Sequence, residues 1–493
     1  MRQGVEKSDT LIVPVKRANK AGVSAAERVE GSGAKTRNVE LQSTVRTQGR
    51  GAVSQAQNRI REAITRDKQE RQTALLHHMT VNAMREAFFN LKRNAAPGVD
   101  RMTWDEYANG VEERLAGLHG RVHRGAYRAL PSRRKFIPKP DGRLRPLGIA
   151  ALEDKIVQAA LVTILTPVYE AEFLGFSYGF RPGRSQHNAL DALAYGIARR
   201  KVHWILDADI SSFFDTVNHD WLIKFVEHRI GDKRVIRLIR KWLKAGVLED
   251  GLEIATTQGT PQGAVISPLL ANIYLHYVFD LWALRWRKRQ SHGDMVVIRY
   301  ADDTVLGFEH REDAELFLEE LHIRLAQFGL SLHPGKTRLI EFGKTAIDDR
   351  NQRGDGKPET FDFLGFTHYC MKKRAGSGFV LGRKTQAKRK RAKLKAIKDT
   401  LRKHMHAQIG EQGRWLATVL RGYFAYFAVP TNGACLSAFR QQVKERWLRA
   451  LRRRSQQRHL TWDGVQKFVD RHLPVPRILH PWPEQRFHVT HST

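Results

Sequence analysis

Cysteine is nearly missing from this chain: Cys370 and Cys435 are the only two in 493 residues. They make neither a disulfide framework nor a thiolate zinc site, so a reducing, cytoplasmic compartment is the simplest setting. Long apolar runs are missing too. No stretch approaches the roughly 18 residues a spanning helix needs, and the start lacks the apolar core of a secretory signal, so no membrane is expected as a partner. Acids are in short supply, with 51 Asp and Glu against 84 Lys and Arg, a formal charge of +33 and a sequence pI near 10.4. That imbalance calls for a polyanionic partner. Nucleic acid leads over an anionic membrane surface, because the basic side chains are spread over a long chain rather than gathered in one amphipathic segment. What is plentiful, 41% hydrophobic residues, is enough for a sizeable core in roughly two to four structural units.

Residues 1–58 are rich in Gly, Ser, Thr, Ala, Gln and charge, and read as a flexible basic leader. Glu6, Asp9, Glu27, Glu30 and Glu40 argue against a transit peptide, which is acid-poor. Helical spacing of Leu75, Leu76, Met79, Met84, Ala87, Phe88 and Leu91 marks the onset of order. Pro97-Gly98 then breaks the pattern, and Thr103 followed by Glu106 has the form of a capping box.

Several stretches carry candidate chemistry. Val296-Val-Ile-Arg-Tyr-Ala-Asp-Asp-Thr-Val-Leu-Gly-Phe308 predicts a β-hairpin with Ala301, Asp302 and Asp303 at its turn. Such a tip is either an ordinary Asp-containing turn or a grip for divalent metal. Trp204 to Asp209 reads as a short apolar strand ending in acids, and Asp207 and Asp209 there need exposure, a basic partner or a metal. The Asp141-Gly142 turn sets Lys139, Arg143 and Arg145 on a basic hairpin, either solvated or able to close on a triphosphate. Arg181 and Arg184 lie on a Gly/Pro loop ahead of a helix capped by Ser185, as phosphate contacts or surface charges. Thr257 to Pro268, with Gln262 and Gly263, is slim enough for close backbone approach to a ligand and equally readable as a plain turn. Asp215 is expected to cap or orient the turn into Asn218 and His219, with His219 structural.

In order, the Asp209 strand, the Pro261-Gln-Gly263 loop and the Tyr300-Ala-Asp-Asp303 hairpin resemble the palm of a reverse transcriptase. The longer motifs Phe136 to Ile149, Phe176 to Ser185, Thr260 to Asn272, Leu332 to Lys336 and Phe361 to Phe366 are similar to those of bacterial group II intron proteins, and the likeness covers about residues 75 to 485. The resemblance implies an α+β chain: a right-hand polymerase, fingers and palm with antiparallel sheet, followed by an α-helical thumb and maturase domain. It implies RNA-directed DNA polymerase activity, with Asp209, Asp302 and Asp303 as catalytic ligands of two Mg²⁺ ions about 3.5 to 4 Å apart. By position in the motifs, Phe214 looks like the aromatic gate against a ribose 2′ hydroxyl. Gln262 looks like a contact to the incoming nucleotide, and Lys139 and Arg145 like triphosphate clamps. Lys336 either approaches the triphosphate or supports the palm. Implied partners are group II intron RNA, an RNA template with DNA primer, deoxynucleoside triphosphates and target DNA, in a bacterial cytoplasm near the nucleoid or in a ribonucleoprotein. Two positions depart from the family pattern: Ala264 stands where a second Gly usually follows Gln-Gly, and Arg101 where Gly usually follows Val-Asp.

Residues 371–460 hold 24 Lys and Arg against Asp399, Glu411 and Glu445, which accounts for most of the excess charge. Lys388 to Lys403 reads as a basic helix, and Trp415, Leu416, Val419, Leu420, Tyr423 and Phe427 form an apolar face on the next. The expected organisation is a leader (1–58), an N-terminal extension with fingers (59–205), a palm with interleaved finger elements (206–370), a basic helical thumb and maturase domain (371–460), and a tail (461–493) that could be a remnant of a DNA-binding segment. With no paired cysteines and downstream histidines, the zinc-associated endonuclease domain of some relatives is expected to be lacking. Two other readings stay open: an RNA-binding splicing cofactor with a vestigial polymerase site, or a related polymerase in host defence or repair.

Overall fold

Apolar spacing turns into α-helix over part of the run the sequence predicts, since Leu76–His78 form only a short 3₁₀ turn. In α1 (Val81–Asn90) Ala83, Met84, Ala87 and Phe88 are buried, and Thr80 accepts a hydrogen bond from the Ala83 N–H at its start. The computed structural model describes residues 58, 60–62, 71–138, 144–249, 251–373, 378–454 and 469–491. The expected leader lies almost wholly outside these residues, as do Lys139, Arg143 and the Asp141-Gly142 turn. Helix α2 (Trp104–Ala108) opens with the expected capping box, in which Thr103 and Glu106 exchange side-chain and backbone hydrogen bonds. Helices α3 (Val111–His123) and α4 (Leu152–Glu170) follow, and α5 (Gln186–Arg199) is capped by Ser185 with Asn188 reciprocating.

The remaining helices are α6 (Phe213–Thr216), α7 (His219–Arg229), α8 (Lys233–Lys244), α9 (Ser267–Leu275), α10 (Leu281–Arg289), α11 (Arg311–Ala326), α12 (Ala346–Arg353), α13 (Ala387–Lys403), α14 (Ile409–Phe427), α15 (Gly433–Arg452) and α16 (Pro483–His491). A π-helical turn, His276–Asp280, joins α9 to α10. Strands β1 (Ser132–Pro138), β2 (Leu144–Ile149), β3 (Trp204–Asp209), β4 (Val247–Glu249), β5 (Leu252–Ile254), β6 (Met295–Tyr300), β7 (Asp303–Phe308), β8 (Arg338–Glu341), β9 (Phe361–Phe363), β10 (Phe366–Lys372) and β11 (Phe379–Thr385) form three sheets among the described residues. One is mixed, in the order β2-β1-β4-β5; the other two, β6-β7-β3-β8 and β11-β10-β9, are antiparallel. Beyond α8 the chain turns at once into β4, where Val247 and Leu248 pair in parallel with Ser132 and Arg133.

The sheet β6-β7-β3-β8 is covered on both faces. Val297, Leu306 and Phe308 join a core with α1 to α4 and α7 to α9, while Val296, Ile298 and Val305 join a second core with α5, β9 to β11 and α13 to α15. Burial on both faces explains why its strands read as unbroken apolar runs rather than alternating ones. Among the described residues no helix is long and apolar enough to cross a membrane.

Candidate active site

The predicted hairpin forms, with a tighter turn than expected. Tyr300 pairs with Asp303, so Ala301 and Asp302 alone make the turn and Asp303 begins β7. Ala301 takes φ +56°, the sign that a two-residue turn needs at its first position and that a residue with a Cβ resists. Gly179 lies directly against it: a Cβ there would fall 2.3 Å from the Ala301 nitrogen.

Pairing of β3 with β7 sets Asp209 opposite Asp303. Asp209, Asp302 and Asp303 thus meet at one sheet end, with Asp207 two residues below Asp209 on the same strand face. Their charges are felt mutually. Crowding by protein, then repulsion from Asp302 and Asp209, pushes the Asp303 carboxyl up to about 6, although its tip keeps solvent contact. Burial, reinforced by Asp209, also raises Asp302, against the pull of Arg145 on β2 and of Arg299. Cations gather around the acids. Lys336 Nζ lies 2.5 Å from Asp209 Oδ2, held there by a turn in which the His333 N–H donates to the Asp209 carbonyl at 2.7 Å and the Lys336 N–H to His333. Arg389 at the start of α13 favours the Asp303 anion as well; the sequence reading missed it because it lies far along the chain.

The loop carrying Gln262 is stitched to two elements that bear other candidates. The Thr260 N–H donates to the Phe214 carbonyl at 2.7 Å, and the Gly148 N–H to the Gln262 carbonyl at 2.7 Å. Gly263 sits at φ +111°, where a Cβ would come within 2.8 Å of the Gly148 oxygen, whereas Ala264 is buried outside the left-handed region. Half-buried Gln262 therefore lies beside β2, which carries Arg145, and half-buried Phe214 lies beside Thr260 in the same loop. His219 is structural, its Nε2 2.6 Å from the Gly259 carbonyl oxygen. Asn218, rather than Asp215, caps α7 by accepting from the Asp220 and Trp221 N–H groups.

Arg181 and Arg184 turn inward. Arg181, 5% exposed, forms a two-pronged pair with Glu170 at 2.9 Å and donates to the Leu174 and Ser177 carbonyls. Arg184 donates to the Gly175 and Ser177 carbonyls. Neither is a surface charge, and the loop is built around them. The sequence reading also missed Arg299, wholly buried and ion-paired with Asp280 at 2.6 Å. Its signal was a lone charge inside an apolar strand, which burial tolerates only with partners.

Among the described residues no three His, Cys, Asp or Glu side chains are drawn together as a ready-made metal cage. The donor chemistry nevertheless fits hard divalent cations. Asp209, Asp302 and Asp303 supply only carboxylate oxygens, and the repulsion from Asp209 that adds to burial in raising both Asp302 and Asp303 is what a cation among them would relieve.

Residues 137–368 match the reverse transcriptase (RNA-dependent DNA polymerase) family. The chain is 43% identical over 240 residues to Protein YkfC of Escherichia coli, covering 43% of this chain and 62% of that protein. It is 42% identical over 176 residues to the group II intron-encoded protein LtrA of Lactococcus lactis, covering 35% of this chain and 29% of that protein. A third match, to nuclear intron maturase 1 of Arabidopsis thaliana, is 33% identical over 92 residues and covers 19% of this chain and 13% of that protein. In each case the chain spans less than two thirds of the relative's length.

Proposed function

We propose that this chain, which carries a reverse transcriptase domain of the group II intron type over residues 137–368, synthesises DNA on an RNA template and also binds intron RNA to assist its splicing and mobility. The observation that carries the reading is the pairing of Asp209 with Asp303 beside the Asp302 turn, ringed by Arg145, Lys336 and Arg389. Reverse transcriptases work with divalent metal ions, and Mg²⁺ suits three carboxylates facing a triphosphate. Bound there, two such ions supply activation of a primer 3′ hydroxyl and stabilisation of the leaving pyrophosphate. The protein's own contribution is to hold Asp209, Asp302 and Asp303 as ligands and to keep Arg145 and Lys336 beside the triphosphate, with Lys139 joining them. Phe214 and Gln262 shape the pocket for the deoxynucleotide: the ring excludes a 2′ hydroxyl and the loop backbone approaches the base pair closely.

In this reading residues 59–205 and 206–370 act as extension, fingers and palm, and residues 371–460 as a basic thumb and maturase domain that grips the RNA-containing duplex in a cytoplasmic ribonucleoprotein. Residues 1–58 are a basic leader and 461–493 a tail toward target DNA. Extension of a DNA primer on an RNA template with Mg²⁺ and deoxynucleotides tests it. The wild-type chain is expected to incorporate nucleotides, and Asp302→Asn to lose incorporation while keeping its affinity for primer and template. RNA binding without incorporation by the wild type would instead support a splicing cofactor.

A further inference from the structure

The Arg299 guanidinium has five N–H donors, and all five are engaged. Nε and Nη2 donate to the two Asp280 oxygens at 2.6 Å each, Nη2 also to Ser177 Oγ at 2.7 Å, and Nη1 to Asn272 Oδ1 at 3.1 Å and to the Ala301 carbonyl at 2.9 Å. The last acceptor belongs to the hairpin turn itself. The main chain repeats the clamp: the Arg299 N–H donates to the Phe176 carbonyl at 2.9 Å, and its own carbonyl accepts from the Tyr178 N–H at 2.8 Å. Asn272 Nδ2 donates to the Gly179 carbonyl at 2.7 Å, fixing the residue whose missing side chain lets the Ala301 turn approach.

The helix that supplies two of these partners is adapted to do so. Asn272 and Asp280 are eight residues apart, which in an unbroken α-helix leaves them about 80° out of phase. The π turn His276–Asp280 under-winds that segment and brings both side chains to bear on one guanidinium. Stability alone is a weak reason for such a buried pair, since apolar residues of like volume commonly serve as well. An apolar pair, however, could not bond the Ala301 carbonyl.

We propose that Arg299 is a positioning residue for DNA synthesis: its guanidinium, oriented by Asp280, Asn272 and Ser177, locks Ala301 in its left-handed conformation and so holds Asp302 and Asp303 opposite Asp209. The assignment rests on the reverse transcriptase reading given above. It is tested in the full chain with Arg299→Met combined with Asp280→Leu, which removes both charges together, and with Arg299→Lys, which keeps the charge but cannot span all four partners. Four quantities are measured: kcat at saturating nucleotide, primer–template Kd, melting temperature, and hydrogen exchange across residues 296–308. Both variants are expected to lose about 10- to 100-fold in kcat, the scale of a small misplacement of reacting groups. Primer–template affinity and protection elsewhere in the sheet stay as in the wild type, and exchange at the turn accelerates. Adding Ala301→Gly, which removes the strain of positive φ, should recover part of the lost kcat. Wild-type kcat with wild-type protection at the turn overturns the proposal, and so does protection lost evenly over the whole sheet, the mark of a merely structural ion pair. If the double variant fails to fold, Arg299→Lys decides by the same readouts. A wild-type protein without polymerase activity would sink the functional reading, while exchange at the turn would still report whether Arg299 holds it.

Discussion

Asp207 shares a strand face with Asp209, and its carboxyl is pushed up to about 7, chiefly by burial, which Arg338, 4.0 Å away, only partly offsets, with Asp303 and Asp209 adding repulsion. A carboxyl whose folded pKa exceeds its unfolded value favours the fold below that unfolded value, and the contribution is lost as pH rises toward the folded one. For Asp207 the loss falls between about 4 and 7, with Asp303 adding to it up to about 6. The metal-free protein should therefore melt at a lower temperature at pH 8 than at pH 5. Asp207→Asn, neutral throughout, should raise the pH 8 melting temperature by the equivalent of about 1–3 kcal/mol and the pH 5 value by clearly less, because only part of the loss has occurred there. A gain of equal size at both pH values would show that the effect is not ionisation. Excess Mg²⁺ should shrink the wild-type deficit at pH 8 by offsetting the crowded negative charge.

At the scale of single elements, what was legible depended on how far apart the partners lie in sequence. The Thr103 capping box, the Ser185 cap and the hairpin arms were readable because each is settled within a few residues. The Arg299 hub was not: its partners Ser177, Asn272 and Asp280 come from segments 19 to 122 residues away, and only the fold shows that they converge. Arg181 and Arg184 failed differently. Their Gly/Pro setting suggested exposed phosphate contacts, but the loop's own carbonyls needed donors and took both side chains inward.

Arg101, exposed between Pro97-Gly98 and α2, takes φ +56°, a conformation that glycine adopts without strain. Arg101→Gly should thus stabilise the chain by about 1 kcal/mol. Urea denaturation should show a higher midpoint at unchanged slope; a lower midpoint would mean that the Arg101 side chain contributes more than its backbone costs.

Across the whole molecule, one sheet links the three carboxylates to the basic helices, because the strands that carry the acids pack on their second face against the core that includes α13 to α15. Helix α13 buries Leu394, Ile397 and Leu401 and leaves its basic residues outward, with Arg389 near Asp303. Lys388, Arg391 and Lys395 fall at i, i+3 and i+7, so they line one flank of that helix and are all exposed. Composition had already placed the excess charge in this region, but not its closeness to the acids, which depends on the packing of α13 beside the sheet. If that flank meets the phosphates of a bound RNA, each lost cation removes about 0.7 to 0.9 from the slope of log affinity against log salt. Replacing Lys388, Arg391 and Lys395 with Gln should lower the magnitude of that slope by about 2 to 3 and weaken binding alike for unrelated RNA sequences. Titrations at several salt concentrations on wild-type and triple-variant protein measure it. An unchanged slope would place the RNA elsewhere on the surface. A loss confined to one RNA sequence would mean that these side chains read bases rather than backbone.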